Sequence, residues 1–231
     1  MTTRVHYIAP APGPFDGQQC SKYNGYMNTL AIQAGGRSSR MGRDKALVPL
    51  RGRPLIEHVL ARLAPLADEV LITTNHSSSL AYLGVRLVPD RQPGAGALQG
   101  LQTALLAAGG ERVLLVACDM PFVVPALAIH LLNTALQADV VIPQRRGEFE
   151  PMLAVYSRRC LPAVEHALAA GQQRMISFFP NVEVHSVDEA DWQAFDRRGL
   201  SFFNINSPEK LTEAEHLLKE MASDSPPPTG N

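Results

Sequence analysis

Apolar and polar positions change period repeatedly along this chain. Residues 29–34, 69–74, 85–89 and 112–118 form short apolar runs, nearly continuous in the first, second and fourth. Runs of this kind suit strands buried on both faces of a parallel sheet. Between them, residues 54–63, 97–108 and 125–135 carry helical spacing. Two of these three segments open on proline, whose fixed φ suits a first helical turn. In the second half, residues 140–143, 152–156 and 183–187 read as strands, 161–170 as a helix and 174–179 as a short helix. Ser207-Pro208-Glu209 combines a capping serine, a first-turn proline and an early acid, so a last helix is expected from there to about Met221. The alternation predicts an α/β domain with a doubly wound, mostly parallel sheet. In such a sheet a ligand sits beyond the carboxyl ends of the strands, where the strand order reverses.

Length and composition narrow the picture. A chain of 231 residues can build one compact α/β domain with a core that needs no staples. A net charge of −1 excludes a broad basic surface for nucleic acid, and no apolar run approaches a membrane span. Three cysteines, Cys20, Cys118 and Cys160, lie far apart. They form neither a metal-ligand pair nor a disulfide framework, which points to a reducing cytoplasm. Residues 1–27, rich in glycine, proline and polar side chains, are expected to be an extension, disordered or ordered on contact, without the apolar stretch of a secretory signal. The segment 28–221 is expected to be one domain, and 222–231 a disordered tail.

The chemistry concentrates in residues 30–47, L-A-I-Q-A-G-G-R-S-S-R-M-G-R-D-K-A-L. A strand runs into Gly35-Gly36 and then into Arg37, Arg40, Arg43 and Lys45. Glycine lets backbone amides approach a ligand closely, and amides with several cations suit a polyphosphate. The spacing is neither that of the P-loop, which needs G-x-x-x-x-G-K-[ST], nor that of the dinucleotide fingerprint G-x-G-x-x-G. A second element is V-L-L-V-A-C-D-M-P (residues 113–121), a strand ending in a carboxylate. Asp119 there can coordinate a hard cation such as Mg²⁺ or act as a turn or capping group. Asn204 and Asn206 flank Ile205, so period two puts both on one side of an extended segment.

The string A-G-G-R-S-S-R-M-G-R-D-K, ending at Lys45, resembles the signature of the molybdenum cofactor guanylyltransferases. R-P-L-I-E-H (residues 53–58), V-P-D (88–90), C-D-M-P (118–121) and N-I-N-S-P-E-K-L (204–211) follow in that family's order. The resemblance implies a nucleotide-diphospho-sugar-transferase-like Rossmann-type fold. It also implies Mg²⁺-dependent transfer of GMP from GTP to molybdenum-bound molybdopterin, with release of pyrophosphate. Other cofactor-synthesis proteins and molybdoenzyme chaperones are the protein partners it suggests. Related possibilities are cytidylyl transfer to molybdopterin, or another small-molecule nucleotidyltransferase. A non-catalytic nucleotide or cofactor module is the alternative from a different class.

On this basis Lys45, Arg40 and Asp119 are the expected catalytic groups. Lys45 and Arg40 neutralise charge on the triphosphate, and Asp119 holds the metal. The attacking phosphate oxygen is already anionic, so alignment and charge neutralisation suffice without a strong general base. Nucleotide contacts are expected from Gln33, Ala34, Gly35, Gly36, Lys45, Thr73, Asp90, Gly100 and Asp119. Gln33 stands where leucine is commoner, which leaves main-chain contacts intact. Thr73 occupies the place of an asparagine in a relative, so a base contact falls to Thr73 or to Asn75. Asp90 is a GTP contact by resemblance and a plain turn residue by local sequence. Gly94, Gly96 and Gly100 serve either the nucleotide or an ordinary loop-to-helix turn. Asn206 is a second metal ligand or a turn former, and Arg174 holds the acceptor's phosphate or is simply solvated.

Overall fold

The computed structural model describes residues 25–35, 44–91 and 96–223. Residues 1–24 and 224–231 of the two expected terminal segments, Gly36 and Arg40 in 36–43, and Gly94 in 92–95 lie outside the described residues. In chain order the elements are β1 (Asn28–Gln33), the hairpin of β2 (Pro49–Leu50) and β3 (Arg53–Pro54), α1 (Leu55–Leu63), β4 (Glu69–Thr73), the one-turn α2 (Ser77–Leu80), β5 (Arg86–Val88) and α3 (Ala97–Ala107). Next come β6 (Arg112–Ala117), α4 (Pro125–Asn133), β7 (Val140–Arg145), β8 (Glu148–Phe149), β9 (Leu153–Ser157), α5 (Leu161–Ala169), β10 (Val184–Val187), α6 (Glu189–Gln193) and α7 (Pro208–Ser223).

The main sheet runs β10-β7-β9-β6-β1-β4-β5, with β8 paired to β7 at its side. Strand β9 is antiparallel to both neighbours, and the other pairs along this order are parallel. The chain leaves β1 toward β4 and β5 on one side, then returns to place β6 on the other. The order therefore reverses between β1 and β6, and their carboxyl ends open a crevice. Each central strand is apolar on both faces because helices cover both. Leu30 and Ile32 of β1 and Leu114 and Val116 of β6 pack with Ile56, Val59 and Leu60 of α1 and Leu127 and Leu131 of α4. Their neighbours Ala31, Val113 and Leu115 face the opposite way, onto Leu98, Leu101 and Leu105 of α3 and Val164 of α5. A third cluster, Leu50, Leu55, Phe122, Ile205 and Ala214, seats α7 on the β2–β3 hairpin. Trp192 and Phe178 are core residues, as their bulk suggests.

One expectation changes. Residues 174–178 form turns rather than a helix, followed by a 3-10 turn at Phe179–Asn181. Pro180 disfavours helical geometry at the residue before it, and Met175 and Phe178 take their places in the core from a turn. The hairpins closed by Arg51-Gly52 and Arg146-Gly147 were not legible, because neither dipeptide is a strong hairpin signal. Both central residues of each lie at positive φ, as two-residue hairpin loops require. Residues 25–27, expected in the extension, meet the body: Tyr26 accepts a hydrogen bond from Gln137 (3.4 Å). Among the described residues no helix is long and apolar enough to cross a membrane.

His58 joins α1 to the hairpin that precedes it. Its Nε2 lies 3.1 Å from the Leu50 carbonyl, which can only accept, so Nε2 carries the proton. Burial holds the imidazole pKa below its ordinary value; the Leu50 carbonyl opposes this, and Arg53 and Arg62 add to it. The unfolded chain therefore takes up a proton before the folded one does, and stability falls as pH drops below about 6.5. Replacing His58 by Gln, which keeps a donor, should shrink the loss of stability between pH 7.5 and 5.5, read from urea unfolding midpoints.

Candidate active site

The crevice is closed at its floor by level strand ends. Ala34 donates to the Thr73 carbonyl (2.9 Å) and Cys118 to the Gln33 carbonyl (3.1 Å), so β1, β4 and β6 stay hydrogen-bonded to their last residues. Asp119 emerges just past β6. Its carbonyl accepts from the Ile205 amide (3.0 Å), which draws the 204–206 segment alongside. Ile205 is fully buried, and its neighbours Asn204 and Asn206 both line the cleft, the period-two arrangement expected of them. On the facing wall, Asp44 caps the turn Lys45–Leu47 by accepting from the Ala46 amide (3.1 Å) while Ala46 anchors in the core. That cap aims Lys45 across the opening, where its Nζ stands 3.1 Å from Asp119 Oδ2. The cleft between these walls measures about 310 Å³.

Lys45 is a third exposed and Asp119 is less so. Solvent screening leaves such a pair worth about 1 kcal/mol or less. The contact therefore orients both groups toward the cleft and is cheap to exchange for a ligand. The surroundings also favour a ligand. Asp44 Oδ2, Asn204 Oδ1, Gln33 Oε1 and Thr73 Oγ1 are buried without a hydrogen-bond partner, and all four lie toward the carboxyl end of the sheet. An unpaired buried polar atom costs roughly 1–3 kcal/mol, so such a concentration marks a place shaped for something other than stability.

The structure brings Gln33, Ala34, Gly35, Lys45, Asp119 and Asn206 to one cleft. Thr73 is opposite Gln33 in register, but its side chain is wholly buried. Asp90 stands against the glycine turn: a Cβ on Gly35 would lie 3.2 Å from Asp90 Oδ2. Gly100 is buried within α3, and a side chain there would meet Gln33 Nε2 at 2.2 Å. Its described neighbour is thus the Gln33 amide, not the open cleft. Arg174 is exposed on the turn next to Gln173, which packs on Gly96 ahead of α3, and it makes no ion pair among the described residues. Sequence reasoning missed Asp44, Cys118 and Met152 as cleft-lining residues. Asp44 had a signal, an aspartate immediately before the expected lysine, but its capping role depends on the turn that follows. Met152 had none.

Residues 30–185 match the family model described as the MobA-like NTP transferase domain. The chain is 35% identical over 195 residues to the molybdenum cofactor guanylyltransferase of Desulfosudis oleivorans, covering 83% of this chain and 96% of that one. It is 39% identical over 190 residues to the Pseudomonas putida enzyme of the same name, covering 80% and 96%. Among solved structures it is similar to molybdopterin-guanine dinucleotide biosynthesis protein A from Archaeoglobus fulgidus. That likeness has a TM-score of 0.74 at 29% identity and covers 84% of this chain and all of that one. With the strand order above, it identifies the fold as the nucleotide-diphospho-sugar-transferase-like type.

Cys118 borders the cleft yet is no nucleophile. Burial, then the charges of Asp119 and Asp44, push its thiol far above the usual range. Cys160 is pushed up to about 12, chiefly by burial and then by Asp139. Iodoacetamide at pH 8 should leave both unlabelled in the folded protein and label both in guanidinium, as read by peptide mass mapping.

Proposed function

The chain belongs to the MobA-like NTP transferases and, within them, to the molybdenum cofactor guanylyltransferases, and from that premise we propose that it transfers GMP from GTP to the phosphate of molybdopterin, releasing pyrophosphate. One observation carries the chemistry. Lys45 and Asp119, 74 positions apart in sequence, meet at the mouth of the β1–β6 crevice, so a single metal–triphosphate unit can touch both.

The chemical difficulty is electrostatic, because an anionic phosphate must attack the phosphorus of another anion. A fixed cation at the triphosphate lowers that barrier without any proton transfer. Two features support this role for Lys45: it lines the cleft, and leaving Asp119 for a phosphate costs little. The glycine turn after β1, at Gly35, gives the triphosphate a backbone seat, while the Ala34 amide is held by the Thr73 carbonyl. Arg40, on the segment outside the described residues, joins this cationic set on sequence grounds alone. Asn206 and Met152, on the opposite wall, border the space left for the acceptor.

The donor set fits Mg²⁺. Asp119, the unpartnered Asp44 Oδ2 and Asn204 Oδ1 are hard oxygens, and Mg²⁺ is commonly held by one or two carboxylates together with substrate phosphates. Bound there, the ion would supply Lewis-acid polarisation and charge neutralisation. The described residues contain no cluster of three acidic, histidine or cysteine ligands, so the site depends on the nucleotide's own oxygens to be complete.

Asp119→Asn and Lys45→Met should each slow GTP-dependent pyrophosphate release in the presence of molybdopterin by about 10²–10³-fold, since each removes a charge aimed at the reacting phosphates. Their melting temperatures should stay within a few degrees of the parent, because the ion pair is screened. Undiminished turnover in either variant would remove that residue from the mechanism. Faster release from CTP than from GTP would overturn the guanylyl assignment.

A further inference from the structure

The Asp90 carboxylate is held by side chains from two other elements. Thr103 Oγ1, on α3, lies 3.0 Å from Asp90 Oδ1, and Asn75 Nδ2, just after β4, donates to Oδ2 at 3.0 Å. Asn75 also accepts from the Asp90 amide through its own Oδ1 (3.2 Å), so one carboxamide grips both the backbone and the side chain of Asp90. Thr103 is 3% exposed and has a second acceptor, the Gln99 carbonyl, at 3.0 Å. Its single hydroxyl proton goes to the charged oxygen, the stronger acceptor.

We propose that Asn75 and Thr103 are positioning residues for the nucleoside, holding Asp90 beside Gly35 so that its remaining lone pairs face the ligand. This rests on the reading above that the cleft holds a nucleoside triphosphate. A carboxylate offers about four acceptor positions, and Thr103 and Asn75 occupy one on each oxygen. Gly35 lies directly against Oδ2, so whatever is seated on the glycine turn meets this carboxylate edge. Phosphate oxygens, which are acceptors and anionic, are excluded from it. The group that fits must bring a donor: an N–H of the base edge or a ribose hydroxyl. Asn75 therefore serves the nucleotide through Asp90 instead of touching the base itself.

The test is a thermodynamic cycle on the full chain, read as the dissociation constant of the Mg²⁺–nucleotide by calorimetry with no acceptor present. Thr103→Val and Asn75→Ala should each weaken GTP binding about ten-fold, the loss of one charge-assisted hydrogen bond. Thr103→Ser should restore binding to within about two-fold of the parent, because it returns the donor. In an Asp90→Ala background Thr103→Val should change binding by less than about two-fold, since the group it positions is gone. Inosine triphosphate and 2′-deoxy-GTP in the same cycle separate a base donor from a ribose donor. Parent-like binding by Thr103→Val, or an equal loss with and without Asp90, overturns the proposal. Asn75 is exposed, so its variant decides the matter if the buried Thr103→Val fails to fold. The cycle is run with whichever nucleoside triphosphate the parent binds best. A preference for CTP would sink the guanylyl reading while these constants still decide the role of Asn75 and Thr103.

Discussion

The contact between Lys45 and Asp119 is the constraint on which the rest of the molecule turns. Asp119 just past β6 and Lys45 in the turn that Asp44 caps meet because two conditions hold. The strands β1 and β6 lie side by side in parallel, and the chain leaves them in opposite directions. The doubly wound topology meets both. It puts a reversal of strand order at that pair of strand ends, and the cleft follows from the connectivity. Burial on both faces keeps the strands in register, so the position of Asp119 relative to Lys45 is set by a rigid frame.

Around that contact, stability has given way to function. Among the described residues, four of the five buried side-chain polar atoms without a partner lie toward the cleft end of the sheet, and the fifth belongs to Arg112 at the start of β6. At the opposite, amino-terminal end of the sheet, Arg112 Nε aside, the chain supplies partners of its own. Thr29 donates to Glu69, which also accepts from the Gly109 amide, and Thr29 in turn accepts from the Gly110 amide. One sheet thus has a closed end and an open end. The difference lies in whether the chain supplies its own donors and acceptors or leaves them to a ligand. Lys45 belongs to the open end as well, since a screened pair holds it in place without trapping it.

The second half of the chain completes the site instead of forming a separate unit. Strand β9 enters antiparallel beside β6 and brings Met152 to the cleft wall, while the amide of Ile205 bonds to Asp119. Helix α7 closes over the hairpin that follows Lys45. The two walls of the cleft are therefore built from segments that belong to the same cores, which fixes them with respect to each other.

Much of this was written in local sequence. The continuous apolar runs of β1, β4 and β6 demanded burial on both faces and hence a parallel sheet. That Gly35, Lys45 and a strand-ending Asp119 could share one cleft was legible too, because strand ends, turn glycines and charge are properties of a few adjacent residues. The Asn204–Ile205–Asn206 alternation was legible for the same reason. What local sequence could not contain was partnership across the fold. That Gly100 makes room for Gln33, that Asp44 lines the cleft, and that Asn75 and Thr103 converge on Asp90 all depend on which elements pack together. No spacing within one segment encodes those distances; they arise when apolar burial brings α3, β1 and β5 into contact and leaves each polar side chain beside whatever neighbour the packing supplies.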